Sequence, residues 1–561
     1  MNDREFNLID ERWIRVIWPD CREEEVSLID ALINAHEYQD LSGELPTQDV
    51  AILRLLLAIL HTVFTRVDEN GEEAPFDYPS DARNRWKALW KMGHFPKKPI
   101  LDYLNNWHER FWLFHPDRPF YQVNEASIGT ENGAFKLNGE LSQSNNKERL
   151  FTTCAGEYKE RMSYPEAARW LIYLNGFDDT SAKPKGKNLP TPGIGWLGKL
   201  GLITAVGHNL FETLMMNMVL LPEKELWEGR EQPCWELPAP RTGERVQISM
   251  PDNAAGLLTL QSRRILLKRE DDKVVGYALL GGDFFPKEDA LMEQMTVWSE
   301  IKDKNGNHQH FQPRRHDASK QMWRDFGAIA GMADGHRRPG VVAWVDYLRY
   351  NSLLPKGDRI SFRIASVQYG DKDFFVNNVF GDQLTFHTEL LTEAGKLGYD
   401  SAIEEIKKCE KAAQNVGLLA KNLYAAAGGR GESDADAMKA QYFDMIDAPF
   451  RKWLSELEPD DVDELHMQCE TWQGVARQAA LNLGRTMIER AGKSAFIGRK
   501  LEDKKKKQED KKGKAGDKKN KSDSKSDYHV SSPEAYKWFV GSMYKLYPDK
   551  KDDSQEVNTN G

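Results

Sequence analysis

The spacing of apolar residues changes along this chain, and that change limits the possible folds more than any single motif does. Up to about residue 375, short alternating runs that suit half-buried strands interleave with helical patterns. Leu257–Lys268 and Val274–Leu280, separated by Arg269–Lys273, predict a hairpin, and Val341–Tyr347 and Ile360–Tyr369 predict further strands. Ile301–Phe311 carries Asn305-Gly306 at its centre, the strongest short hairpin signal. From about 376 the apolar period is helical. Helices are expected over 384–396, 401–427, 437–457, 466–494 and 532–546, with breaks at Gly428–Gly431 and Glu458–Asp461. The length of 561 residues exceeds what one core can serve. The expectation is an α+β protein: a large mixed α/β N-terminal domain over 1–375, followed by a C-terminal four-helix bundle over 376–561.

Near the N-terminus, short strands are expected between Phe6 and Ile17, followed by a helix from Ser27 to Ala35. Pro46-Thr47 opens a long helix over 48–65, with Thr47 as its N-cap. The run Val50–Phe64 is interrupted by Arg54 and His61 and is too short to span a bilayer, so it predicts a buried core helix. Trp86, Trp90, Tyr103, Trp107 and Phe111 recur at helical spacing, which predicts packing rather than a platform for bases. Asn132-Gly133 and Asn138-Gly139 are turn signals. Ser163-Tyr-Pro-Glu166 is a capping box that starts a helix running to Leu174. That helix delivers the chain to a Gly-, Pro- and Lys-rich loop from Phe177 to Gly201, and a further helix is expected over Asn209–Leu221. Lys504–Asp527 has no apolar residue apart from Ala515 and is predicted to be disordered, because it has nothing to bury.

The Phe177–Gly201 loop contains two nucleotide-binding patterns, and both fail on context. Gly193, Gly195 and Gly198 spell G-x-G-x-x-G, but Lys187–Pro192 precedes them, and its two prolines exclude the central strand that a dinucleotide site needs. Gly193–Lys199 spells most of a P-loop, yet Leu200 stands where a Mg²⁺-binding hydroxyl is required. His308, His310, His316 and Asp317 lie close in sequence, and a polar turn is a plainer account of them than a metal site. The five cysteines are scattered and form no C-x-x-C, which argues against a disulfide framework or structural zinc and for a reducing compartment. Met1–Trp13 is acidic and lacks the basic-then-apolar order of a signal peptide. No catalytic residue, metal or cofactor is expected. The net charge of −10 disfavours a chain-wide nucleic-acid footprint, so phosphate contacts would fall to locally basic loops over 142–161, 178–199 and 302–315.

Short blocks in a fixed order give a sharper reading. They are Phe6-Asn-Leu-Ile-Asp10 with Trp13-Ile14, Leu41-Ser-Gly43 with Leu45-Pro-Thr-Gln-Asp49, and Leu113-Phe-His-Pro116 with Arg118-Pro-Phe-Tyr-Gln122. Ala167-Ala-Arg-Trp-Leu171, Phe177-Asp178, Gly195-Trp196, Gln261-Ser-Arg-Arg264, Pro313–Asp317 and Val367-Gln-Tyr369 follow. Across about 370 residues this succession resembles the CasA family, the large subunit of the type I-E CRISPR Cascade complex. The resemblance implies a non-catalytic, cytoplasmic prokaryotic subunit of a CRISPR-RNA (crRNA)-guided surveillance complex in antiviral defence. Such a subunit recognises the protospacer-adjacent motif (PAM) on duplex DNA, promotes strand separation and helps recruit a helicase-nuclease. The implied partners are target DNA with its displaced strand, the backbone, small and handle-binding crRNA-bearing subunits, and the helicase-nuclease, with no membrane. The alternatives are a structural scaffold with incidental DNA contacts, or a cryptic nuclease or NTPase.

Site residues follow from the resemblance position by position. The PAM loop falls on Asp179–Lys185, with Thr180, Ser181, Ala182 and Lys183 as contacts. Lys183 matches the family pattern, whereas both of its glycines are replaced. The minor-groove lysine falls on Lys304 or Lys302, and the wedge that enters the duplex falls on Gly370–Asp373, with Asp371, Lys372 and Asp373. The loop toward the crRNA handle falls on Gln143–Thr153, with Asn145, Asn146, Lys147, Arg149 and Phe151. Some relatives carry cysteine pairs that suggest zinc; this chain does not, so none is expected.

Overall fold

A computed structural model describes residues 4–140, 154–180, 192–332, 335–355, 357, 359–429, 434–501 and 528–548. Helices and strands are mixed, and the chain forms two compact units, Met1–Leu391 and Thr392–Gly561. The division lies 16 residues beyond the expected 375/376 (391 − 375), because Val376–His387 is a strand rather than the approach to a helix. It pairs antiparallel with Arg359–Tyr369 along almost its whole length, and a cut at 375 would split that hairpin. The helix expected over 384–396 is therefore the end of this strand and a short 3₁₀ turn, Thr388–Leu391.

The first unit is built around the helix Pro46–Phe64, which is buried along nearly all its length. Among the described residues it alone is long and apolar enough to cross a membrane, and it is packed inside the unit. Leu45, not Thr47, is its N-cap; Pro46 starts the helix, so Thr47 falls in the first turn and is buried there. Its one arginine, Arg54, is 2% exposed and makes a bidentate pair with Glu293 at 2.8 and 3.0 Å. This pairing answers the cost of a buried charge. The helix packs against Tyr164–Phe177, Ala254–Leu258 and a three-stranded antiparallel sheet. In that sheet Arg359–Tyr369 lies between Val376–His387 and Leu202–Val206. A second antiparallel sheet runs in the order Thr130–Gly133, Lys273–Gly281, Arg263–Glu270.

Several sequence expectations change with burial. Val341–Tyr347 is not a strand but part of the helix Gly340–Tyr350. Its buried positions Val341, Val342, Val345 and Leu348 repeat at helical spacing, and packing outweighs the strand preference of valine. The strand begun at Leu257 starts only at Arg263; Ala254–Leu258 is a short helix whose cap, Asn253, accepts from Gly256 N. Asn132-Gly133 is no turn, because both residues pair with Lys273–Gly281. The helix over 209–221 shortens to Leu210–Asn217, capped by Asn209.

In the second unit, long helices cover Lys396–Ala427, Ala435–Ser455, Val462–Arg490 and Ser532–Leu546. The first contributes a seam of Ala402, Ile406, Cys409, Ala413, Val416, Ala420 and Leu423. Trp472 from the third packs on Phe450 and Trp453 from the second. Arg499–Leu501 and Tyr528–Val530 form an antiparallel pair. Arg499 donates to the carbonyls of Ala426 and Ala427, which end the first of these helices. The segment between the paired strands, expected to be disordered, lies outside the described residues.

Candidate nucleic-acid interface

The helix Tyr164–Phe177 starts where Ser163 Oγ accepts from Glu166 N with Pro165 in the first turn, as the capping box requires. It ends at the root of the Phe177–Gly201 loop. Arg263, at the start of its strand and 2% exposed, holds that root from both sides. Its Nε donates to Asp178 Oδ2 at 2.5 Å, and its Nη2 donates to the carbonyls of Asp179 (3.3 Å) and Gly193 (2.7 Å). Gly195 N donates to Asp178 O at 2.9 Å and closes the base. Two of the three glycines of the apparent nucleotide motif are held by close contacts here. A Cβ at Gly195 would lie 2.3 Å from Gly176 O, and one at Gly198 would lie 2.3 Å from the Tyr369 hydroxyl. Of the expected loop contacts, Thr180 is described, whereas Ser181, Ala182 and Lys183 lie outside the described residues.

Thr180 meets the second expected element. Its N–H donates to Asp373 O and its hydroxyl to Lys372 O, both at 2.9 Å. One strand residue earlier than the turn, the Tyr369 hydroxyl donates to Phe177 O at 2.6 Å. Lys372 and Asp373 adopt left-handed φ values of 52° and 59°, so the turn is tight. Arg315 fixes it with two bonds to the Asp373 carboxylate, at 3.0 and 3.2 Å, while lying over the Tyr369 ring. That pair offsets the negative charge of Asp373 at a site expected to approach phosphate. Asp371 and Lys372 remain exposed, and so does Phe374, at 49%. Sequence reasoning overlooked Phe374; the only available signal was a large apolar residue directly after a polar turn.

The third element is a hairpin, Trp298–Lys302 paired with His308–Pro313. The Asp303 carboxylate accepts from the N–H groups of Asn305 and Asn307 at 2.8 and 2.9 Å, and Gly306 takes φ +86°. These N–H donors hold the Asp303 pKa below the usual carboxylate value. Lys302 closes the strand and pairs with Glu300 at 3.1 Å. Lys304 stands on the organised turn and is exposed, with no carboxylate in ion-pair reach among the described residues. The nearby histidines do not converge. His308 bonds Glu300, and His316 is buried with Nε2 3.0 Å from Leu202 O. Burial pushes the His316 pKa down to about 4. Among the described residues no three His, Cys, Asp or Glu side chains are placed to hold a metal. Asn145, Asn146, Lys147, Arg149 and Phe151 lie outside the described residues.

A mixed α/β unit thus carries a loop pinned at its root, a locked turn and a lysine-tipped hairpin at its surface. The chain belongs to the CRISPR-associated protein Cse1 family, whose model matches residues 7–483. A curated relative, the CRISPR-associated protein CasA/Cse1 of Thermus thermophilus, is 32% identical over 336 residues. That match covers 58% of this chain and 60% of the relative, so the chain spans less than two thirds of that protein. The crystal structure of Thermobifida fusca Cse1 is 28% identical and superposes with a TM-score of 0.77, covering 97% of this chain and 98% of that one. A chain of a CRISPR RNA-guided surveillance complex shares the fold at 18% identity and a TM-score of 0.64, over 86% of this chain and 96% of its own length.

Proposed function

We propose that this chain is the PAM-reading subunit of a crRNA-guided surveillance complex. It acts without catalysis, in the cytoplasm of a prokaryotic cell. The loop from Thr180, the turn Asp371–Asp373 and Lys304 meet the PAM duplex, start strand separation and leave the target open to a helicase-nuclease. The second unit is read as a four-helix bundle that serves partner contacts, and the crRNA-bearing subunits hold the chain in the complex. The family membership and the fold shared with a surveillance-complex chain support this assembly.

One observation carries the DNA reading. Thr180 bonds both Lys372 O and Asp373 O, so the start of the loop and the turn form one rigid edge instead of two independent surface features. In the assembled complex, Lys304→Ala and Lys183→Ala should each weaken binding of a PAM-bearing duplex by about 1–3 kcal/mol and flatten discrimination against a wrong motif. Titration of both duplexes at fixed salt measures this. Unchanged discrimination in both variants would sink the site assignment. A complex lacking this subunit that still discriminates would instead make the chain a scaffold.

A further inference from the structure

Where the chain leaves the loop, between Pro192 and Gly201, cations gather, and of these only Arg263 has an ion pair with a carboxylate among the described residues. The Lys199 ammonium lies over the Trp196 ring, 5.7 Å from its centroid. It has no carboxylate in ion-pair reach among the described residues. Arg245 is 7% exposed and stacks on Phe284 at 4.0 Å, and its Nε–H has no acceptor among the described residues. Its backbone is held at φ 50° by a bond from its N–H to Gly281 O at 3.1 Å. The missing side chain of Gly281 makes room for its stem, since a Cβ there would lie 2.4 Å from Arg245 Cδ. The neighbouring guanidinium, Arg263, is already committed to Asp178. Lys287 is exposed on the segment that follows Phe285.

The electrostatics agree with the geometry. Burial first, then Arg263, Arg245 and Lys287, push the Lys199 pKa down to about 8, with Glu288 opposing. Burial and Arg263 also lower the Arg245 pKa against Glu244. Stacking a desolvated cation on an aromatic face recovers only part of what burying an unpaired charge costs. The rings therefore leave a deficit that an anion would remove, and a guanidinium beside an ammonium suits a phosphate.

We propose that Lys199 and Arg245 form a phosphate-binding site at the root of the Phe177–Gly201 loop, and that it takes a backbone phosphate of duplex nucleic acid. The inference rests on the duplex-reading proposal above. Phosphate contacts position a duplex without reading it, so this site adds affinity and not discrimination.

The test is mass-spectrometric amine labelling of the full-length chain near neutral pH. The four arms are no addition, inorganic phosphate, a PAM-bearing duplex and a duplex of equal length lacking the motif. A rise of one pH unit in the Lys199 pKa lowers its reactive neutral fraction about tenfold, and protection of that order by both duplexes is expected. Protection of Lys304 without Lys199 overturns the phosphate site and leaves the PAM reading standing. Protection of Lys199 without any at Lys304 does the reverse. Protection by inorganic phosphate but by neither duplex overturns the nucleic-acid assignment, and protection in no arm overturns the site. In the assembled complex, Lys199→Gln should lower the slope of log affinity on log salt by about 0.9 on both duplexes. Lys199→Arg should restore it, and failure of that rescue also counts against the site.

Discussion

Arg263 shows how much of the interface rests on one buried side chain. It balances Asp178 and ties two carbonyls that are 14 residues apart in sequence (193 − 179). Arg263→Ala removes the guanidinium that pairs with the buried Asp178 carboxylate, so denaturant unfolding should show a loss of about 3–5 kcal/mol. The block Gln261-Ser-Arg-Arg264 is plain in the sequence, but its use is not, because Asp178 lies 85 residues from Arg263. Asp49 offers a pH-dependent case. Its carboxyl is 2.7 Å from Gly43 N, and burial pushes its pKa up to about 7 from the usual aspartate value of 3.8. Asp40 and Glu44 add to this, while Gly43 N–H and Arg363 oppose it. The folded pKa exceeds the unfolded one, so the folded state binds the proton more tightly. The stability this group supplies is complete below the unfolded pKa and is lost as pH rises through about 7. Asn at this position keeps the acceptor for Gly43 and never ionises. Asp49→Asn should therefore raise Tm more at about pH 8 than at about pH 5.

Single elements decide where the site residues point. The Asn305-Gly306 signal was legible because a left-handed φ at the second turn position suits glycine, and the hairpin forms around it. Gly306→Val puts a β-branched residue at φ +86° and should distort the turn without touching the core. PAM discrimination measured in the complex should fall toward that of Lys304→Ala, while Tm of the chain changes little. Two other elements were read in the wrong state. Val341–Tyr347 is a run of β-branched and aromatic residues, and only its packed positions reveal a helix. Val376–His387 alternates poorly because its outward face is polar and interrupted, and its pairing with Arg359–Tyr369 makes it a strand. A locked turn lies at Asp371–Asp373 between these two strands. The anchor of that turn, Arg315, lies 58 residues from Asp373, beyond the reach of local pattern.

For the whole molecule, the boundary at Leu391/Thr392 has a direct consequence. Glu389 pairs with Arg349 at 2.5 Å, and Leu391 O accepts from Arg338 at 2.9 Å, so the last residues of the first unit are tied into it. A fragment ending at Leu391 should melt cooperatively. One ending at Phe375 loses an entire strand of the central sheet and should be poorly folded, and circular dichroism melts of both fragments decide the point.

By itself the amino-acid order determined the mixed first part and helical second part, the buried central helix, the hairpin turn, the rejection of both nucleotide motifs and the family. Each of these depends on periodicity, turn chemistry or residue order, which act over a few neighbours. Tertiary structure alone decided that Thr180 and the 370–373 turn form one edge, that Lys302 pairs with Glu300 while Lys304 has no ion pair among the described residues, and that Arg263 closes the loop. It alone placed Lys199 over Trp196 and Arg245 over Phe284, with no ion-pair partner for Lys199 among the described residues. Those contacts join residues tens to hundreds of positions apart, and whether a charge is paired, buried or free depends on what folding places next to it.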